Sequence, residues 1–351
     1  MTDHSTEEIR LERRGQWGLV TLTRPKALNS LTLGMVQALG AALAEWAGDT
    51  GVRAVLVRGE GERAFCAGGD IRYMHDTAKE SPARAADFFR AEYLTNTRMQ
   101  GYAKPIVALM DGITMGGGVG ISAPASHRVA TDKTMWAMPE CGIGLVPDVG
   151  ASWYLNQLRD GLGLWLGLTG ERLGGAECVE AGLAHHLVPS SAIHDLTEAL
   201  LATKLGGNAD RAINEVLGAA SDPEPAELDV PSAFARRPGL SDLLDALRRS
   251  DEPNAAAALA KIEAGSPTSV ALTHRLVSGA PDDFKTAITR EFRVTAHLME
   301  GPDFIEGVRA QVVDKDRDPK WQPSVLANVT DAALDRYFTE PEGGDLNLSG
   351  L

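Results

Sequence analysis

The chain has 351 residues, of which 44% are hydrophobic, and its 34 basic and 48 acidic side chains leave a net charge of -14. That apolar content supports a substantial core and excludes a disordered chain. The acid excess excludes the basic footprint of a partner for nucleic acid or an anionic membrane surface.

At ~150 residues per domain, the length predicts two domains, or one large domain with an appendage. No apolar run reaches the ~18–20 residues of a membrane span. The opening MTDHSTEEIR lacks the basic and apolar regions of a signal peptide. Cys66, Cys141 and Cys178 are widely spaced, odd in number and form no CxxC, so no disulfide framework is expected. These features together predict a soluble, reduced protein of the cytoplasm.

From Gly15 to Asp132, strand-like and helix-like segments alternate. GQWGLVTLTR (15–24) reads as a β-branched strand that ends at Pro25. Thr32 can cap a helix whose apolar positions Leu33, Val36, Leu39, Leu43 and Trp46 follow helical spacing. RAVLVRG (53–59) is a short apolar strand, and a glycine-rich loop follows it through Gly69. Residues 82–100 read as a helix with Phe88, Phe89 and Leu94 among its apolar positions. PIVALMDG (105–112) is another strand, followed by Gly116, Gly117, Gly118 and Gly120 and then HRVAT (127–131). This alternation predicts βαβ units and a layered α/β sheet.

Beyond about Ala151, helical windows such as 191–204, 241–249, 254–264 and 281–300 dominate. The Pro- and acid-rich stretch 221–242 between them reads as a long loop. The predicted organisation is an α/β core over residues 1–190 and a helical C-terminal region over 191–351.

Several common chemistries lack their signatures. There is no GxxxxGK[ST], GxGxxG, HExxH or GxSxG. The histidines show no metal-ligand spacing, and His185 and His186, as neighbours, point different ways, which favours a structural role. No metal site is expected.

Three segments carry chemistry of another kind. Ala64 to Ile71 (AFCAGGDI) exits a strand through two glycines. Alone it reads as a tight turn, though an exposed N–H there could meet a carbonyl or oxyanion. Asp111 to Ser122 (DGITMGGGVGIS) runs glycines into an apolar helical stretch, leaving free N–H groups where the helix dipole favours negative charge. Each helical glycine costs about 1 kcal/mol relative to alanine, so close packing or close ligand approach is implied. Met138 to Gly150 (MPECGIGLVPDVG) sets Glu140 and Asp148 in an apolar loop, where burial would raise their pKa values toward the range useful for proton transfer. Solvated loop carboxylates are the ordinary alternative.

In this order the segments resemble the crotonase superfamily, the enoyl-CoA hydratase/isomerase fold. The match runs from Gly15 to Pro189 and includes RPKALNSL (24–31), AFCAGGDI (64–71), KPIVALMDGITMGGGVG (104–120), MPECGIGLVPDVGAS (138–152) and TGERLGGAECVEAGLAHHLV (169–188). The resemblance implies an α/β fold in which a spiral of ββα turns forms two packed sheets, with a helical C-terminal region. It implies an acyl-CoA substrate and no separate cofactor, CoA being part of the substrate.

The backbone N–H groups of Gly69 and Gly117 would polarise the thioester carbonyl; one such donor is typically worth about 10²–10³ in rate. Lys26, Ala27, Leu28, Ala67, Gly69, Asp70 and Ile71 match the stretches that hold CoA adenine and pantetheine, mostly through main chain. A homo-oligomer is possible by the same analogy, although the helical tail could cover the family's trimer interface.

Family members differ in their carboxylates. Hydratases place one Glu just after the glycine run and another in the later loop; here those positions are Gly120 and Glu140. Pairing Glu140 with Asp148 resembles two branches, the 3-hydroxyisobutyryl-CoA hydrolases of valine breakdown and the dienoyl-CoA isomerases. The tail DFIEGVRAQVVDKDRDPKWQP (303–323) and the run Pro147-Asp148-Val149-Gly150 resemble the hydrolase branch, and Glu92 in FRAEYLTN falls where that branch keeps a substrate-contacting Glu.

The resemblance therefore implies hydrolysis of a short 3-hydroxyacyl-CoA. Glu140 would act as nucleophile or base, Asp148 would meet the 3-hydroxyl or position water, and Glu92 would assist. An isomerase or hydratase of the same fold and a non-catalytic acyl-CoA binder are the competing expectations. Cys66, Cys141, Trp136 and Trp165 are expected to pack. Lys315 and Arg317 read as a solvated patch that could alternatively meet CoA phosphates.

Overall fold

A computed structural model describes residues 4–236 and 238–351. The first three residues of the opening segment and Arg237 of the predicted 221–242 loop lie outside the described residues.

Among the described residues nine strands form two sheets. The larger has the order β1 (Ile9–Arg14), β2 (Trp17–Leu22), β3 (Ala54–Gly59), β5 (Ile106–Met110), β7 (His127–Thr131) and β9 (His186–Val188). Its β1–β2 hairpin is antiparallel and every other pairing is parallel. The smaller sheet joins β4 (Ala64–Cys66), β6 (Ile113–Met115) and β8 (Met135–Ala137), all parallel. The chain alternates between them, with β3 leading to β4, β5 to β6 and β7 to β8, so each turn of a spiral adds one strand to each sheet. The corner after β5 is tight. Gly112 has φ +88, and a Cβ there would fall 2.5 Å from the Arg63 carbonyl oxygen. Only glycine fits.

The two-residue period of the strands decides what covers the large sheet. Val20, Leu22, Val55, Val57, Ile106 and Ala108 join the main core with helix α1 (Leu33–Gly48). The alternate residues Trp17, Leu19, Leu56, Val107, Leu109 and Val129 form a second core. Strands buried on both faces read as continuous apolar runs, as parallel strands do. Thr32 caps α1 as expected, its Oγ1 accepting from Met35 N at 3.2 Å.

Helices α2 (Ile71–Glu80) and α3 (Pro82–Gln100) follow, capped by Asp70 and Ser81. The sequence predicts α3 but not α2, whose polar surface masks its single apolar stripe. The glycine run forms only one helical turn, α4 (Gly117–Gly120), shorter than expected because residues 121–124 turn away.

The chain continues through α5 (Ala151–Asn156), α6 (Leu162–Thr169) and α7 (Gly175–Glu180). Helices α8 (Ile193–Ala202) and α9 (Ala209–Ala220) supply Leu196, Leu200, Ile213 and Leu217 to the second core, beneath the large sheet. The 221–242 stretch is irregular apart from a one-turn 3-10 helix that buries Phe234, until α10 begins at Leu240. Helices α10 (Leu240–Arg249), α11 (Pro253–Ala264), α12 (Pro267–Ser278), α13 (Phe284–Glu300) and α14 (Pro302–Val308) contribute to the main core, and α15 (Asp331–Asp335) follows near the end. Among the described residues no helix is long and apolar enough to cross a membrane.

One buried side chain ties the fold to the site. Asn29 accepts from Arg24 N at 3.0 Å and donates to the carbonyls of Glu60 at 3.0 Å and Ala64 at 2.9 Å. It stands at φ +56, a conformation asparagine tolerates better than most residues. This clamp holds residues 24–31 against the loop after β4: Ala67 N donates to Leu28 O, Leu31 N to Gly68 O and Asp70 N to Leu31 O. Asn29→Ala would leave one part-buried donor and two acceptors, one of them buried, without this partner, and we expect a loss of about 2–4 kcal/mol in chemical denaturation. A loss below about 1 kcal/mol would show that the clamp is dispensable.

Candidate active site

The small sheet delivers two backbone segments to one place. Beyond β4, the bonds from Leu31 N to Gly68 O and from Asp70 N to Leu31 O straddle Gly69 and leave its own N–H facing away from them. Beyond β6, Gly117 opens α4, where an N–H has no intrahelical partner. A Cβ on Gly117 would lie 3.3 Å from Gly69 N and 2.3 Å from Glu92 Oε1. The two glycines are thus adjacent, and a side chain at 117 would occupy the space between their donors.

Three carboxylates face the same cavity of about 530 Å3, whose lining includes Gly69, Gly117, Glu92, Glu140 and Asp148. Glu140 opens a 3-10 turn after β8, Asp148 ends the same loop, and Glu92 projects from α3. They are 5%, 5% and 2% exposed, in the order Glu140, Asp148 and Glu92. Glu140 Oε2 and Glu92 Oε1 have no hydrogen-bond partner among the described residues, while Asp148 Oδ2 accepts from Tyr93 Oη at 2.5 Å. Much of the remaining wall is apolar, from Met74, Phe88, Phe89, Ile143 and Leu145.

None of the three acids forms a salt bridge among the described residues. Burial pushes the Glu92 carboxyl well above the carboxylate range, and the nearby Asp148 and Glu140 charges push it further. Burial, then Asp148, raises Glu140 well above that range too. Asp148 rises to about 7 through burial, opposed by the Tyr93 hydroxyl donating to it. Like charges buried in one site oppose one another's ionisation. The three carboxyls therefore do not all carry charge at once, and a proton shared among them would make an acid and a base available near two N–H donors.

The stretches assigned to CoA separate into two groups. Ala67, Gly69 and Ile71 line the cavity. Lys26, Ala27 and Leu28 lie in and just after a single 3-10 turn beside it, joined through the Ala67 N–H to Leu28 O bond. The Asp70 carboxylate serves the scaffold, pairing with Arg24 at 3.0 Å and capping α2, and its main chain is engaged as well, its N–H donating to Leu31 O and its carbonyl accepting from Met74 N.

Lys315 and Arg317 are exposed on a hook, each at positive φ. Arg309 pins that hook through Glu306, Asp314 and Asp316. Burial pushes the Cys66 and Cys141 thiols to about 12, so both stay neutral and pack as expected. Trp136 and Trp165 are in the core. His185 meets Arg128 and His186 meets Ser221, consistent with structural roles.

Sequence reasoning missed several neighbours of the site. Tyr93 follows Glu92 directly, and nothing local marks its hydroxyl as a partner for Asp148. Gln311 and Val312 line the cavity from the π-turn Arg309–Val313, within the tail motif but not singled out there. Arg172 reaches the same cavity from the loop after α6.

A family model described as enoyl-CoA hydratase/isomerase matches residues 17–338. Among curated proteins, the mitochondrial 3-hydroxyisobutyryl-CoA hydrolase of Rattus norvegicus is 42% identical, over 99% of this chain and 93% of its own. The Homo sapiens protein of the same name is 39% identical, with 99% and 93% covered. Among solved structures, a carnitinyl-CoA dehydratase from Mycobacterium thermoresistibile matches with a TM-score of 0.90 at 38% identity, covering 99% of this chain and 100% of that one. An enoyl-CoA hydratase from Rhodobacter sphaeroides 2.4.1 matches at 0.84 and 34%, covering 97% and 99%.

The buried acids also set a pH dependence. The folded state holds the Asp148 proton up to about 7, whereas the ordinary value is 3.8. Folding therefore takes up a proton between those values, so this group's contribution to stability falls as pH rises through that window and stays low above it. Asp148→Asn removes the titration. We expect the variant to melt several degrees above wild type near pH 8 and to gain much less near pH 5. Equal shifts at both pH values would contradict this account.

Proposed function

The chain belongs to the enoyl-CoA hydratase/isomerase family, and within it we propose that the protein hydrolyses a short 3-hydroxyacyl-CoA thioester, foremost 3-hydroxyisobutyryl-CoA, to the free hydroxy acid and CoA. The observation that carries this reading is the Glu140 carboxyl, one oxygen of which has no hydrogen-bond partner among the described residues, in a cavity with two adjacent backbone donors and Asp148. The names of the rat and human relatives support it.

In the mechanism, the thioester carbonyl oxygen lies between the Gly69 and Gly117 N–H groups, which stabilise the charge that develops on it. Glu140, its proton passed to the Asp148 carboxylate, attacks the carbonyl carbon, or takes a proton from the water that does. The C–S bond breaks, and a neighbouring neutral carboxyl protonates the departing thiolate. If an anhydride forms, water then hydrolyses it and restores the Glu140 carboxylate. Asp148 and Glu92 take the substrate's 3-hydroxyl into their polar corner. Acyl groups without that hydroxyl leave these buried atoms unpaired and are selected against.

Hydration, the activity for which the Rhodobacter protein is named, fits less well. In the family pattern the first of the hydratases' two glutamates stands where this chain has Gly120. A Cβ there would fall 2.7 Å from Val149 Cβ and 3.0 Å from Asn96 Nδ2, so the position has no room for a side chain. On this reading the protein serves valine breakdown, in the cytoplasm, whereas the rat and human relatives are named as mitochondrial.

The test is thiol release from 3-hydroxyisobutyryl-, 3-hydroxypropionyl-, isobutyryl- and crotonyl-CoA, by wild type and Glu140→Gln. We expect hydroxyacyl thioesters to be cleaved at least about 100-fold faster than isobutyryl-CoA. The variant should lose about 10³-fold in kcat while its binding constant changes little. Retained turnover in Glu140→Gln would overturn the assignment. Loss of crotonyl-CoA absorbance without thiol release would favour hydratase chemistry.

A further inference from the structure

Asp148 lies in a turn whose backbone is not of low energy. Val149 stands at φ +57 and Gly150 at φ +89. A β-branched residue in the left-handed region costs about 1–3 kcal/mol and persists only where its surroundings over-determine it. Here the surroundings include a carboxylate from far along the chain. Glu291, on α13 and fully buried, accepts from Gly150 N at 2.6 Å through Oε2. Through Oε1 it accepts from Ser152 N at 2.8 Å and Ser152 Oγ at 2.5 Å. No side chain of the turn caps the start of α5, so Glu291 supplies acceptors there from another helix.

The same helix also braces the opposite side of Asp148. Thr295, one turn on, is 3.4 Å from Tyr93 Oη, and Phe292 meets the Tyr93 ring edge-on at 6.2 Å. Tyr93 in turn donates to Asp148. Asp148 is thus held through its backbone by Glu291 and through its carboxylate by Tyr93, and α13 backs both.

We infer that Glu291 is a positioning residue for the reaction, its carboxylate locking the 148–152 turn so that the Asp148 side chain stands in the cavity. Glu291 does not line that cavity, so its effect on turnover passes through Asp148. The inference rests on the hydrolase reading for the reaction observed, but the geometry it concerns is independent of that reading.

The experiment is a double-mutant cycle on the full chain with Glu291→Gln, Asp148→Asn and both together, each checked for folding by circular dichroism. An amide keeps the size but puts a donor against one of the turn's N–H groups. We expect Glu291→Gln to lower kcat/KM for 3-hydroxyisobutyryl-CoA about 10- to 100-fold. In the Asp148→Asn background the same change should cost less than about threefold, because the group it aims is already disabled. A loss of equal size in both backgrounds would show a general structural role and overturn the inference. So would a folded Glu291→Gln within about twofold of wild type.

If Glu291→Gln does not fold, Ser152→Ala, which removes one of the three donors, carries the same cycle with a smaller expected loss and the same criterion. Thiol release by wild type tests the hydrolase reading by itself. Should wild type release none, the cycle is read on dissociation constants for that thioester, where coupling between the two positions still decides the inference.

Discussion

Three buried carboxyl groups share one cavity, and none of them has a salt-bridge partner among the described residues. Moving even one charge from water into such a place costs several kcal/mol, and the overall charge of -14 adds to the repulsion. Such a cavity keeps its shape only where rigid elements hold its walls. Here α3 carries Glu92 and Tyr93 and packs on α13 through an edge-to-face series from Phe88 and Phe89 through Tyr93 to Phe292. The Arg90 guanidinium lies 4.5 Å over the Phe292 ring and bonds the carbonyls of Gly343, Gly344 and Asp345. Arg293 of α13 pairs with Asp345. The end of the chain thereby straps α3 to α13 behind the acids.

The donor side of the site depends on backbone instead. Because β4 and β6 are parallel neighbours, their exits emerge on the same edge of the small sheet, and the Gly69 and Gly117 N–H groups come together without help from side chains. Each wall then has its own means of support. Sheet hydrogen bonds and the Asn29 clamp hold the donors, while aromatic packing and buried side-chain bonds hold the acids.

The relatives carry different activities on a shared frame, with hydrolase, hydratase and dehydratase all in their names. A likeness of backbone cannot choose among these. Local chemistry discriminates: the position after the glycine run is sealed by Val149 and Asn96, while Asp148 and Glu92 enter the cavity from other elements. The turn that carries Asp148 also presses Val149 against Gly120, so one local conformation admits one acid and shuts out another.

Much of this was legible in the amino-acid order. Strand alternation, the Thr32 cap, the glycines at 69 and 117 and the acids at 140 and 148 are properties of short segments. Period and steric demand act over a few residues, so a linear reading recovers them. Such a reading misses α2, because its apolar stripe is narrow, and takes the glycine run for a longer helix than tertiary packing allows. It places Asp70 among the CoA contacts without seeing that Arg24, 46 residues away, engages its carboxylate. Nor can it find the support of Asp148, since the Tyr93 bond spans 55 residues and the bond from Gly150 to Glu291 spans 141. Those contacts are set by where α3 and α13 come to rest against each other. Short segments name the groups that line the cavity; helix packing decides which buried oxygens face them, because a side-chain hydrogen bond between distant segments has no local signal until the core has closed around it.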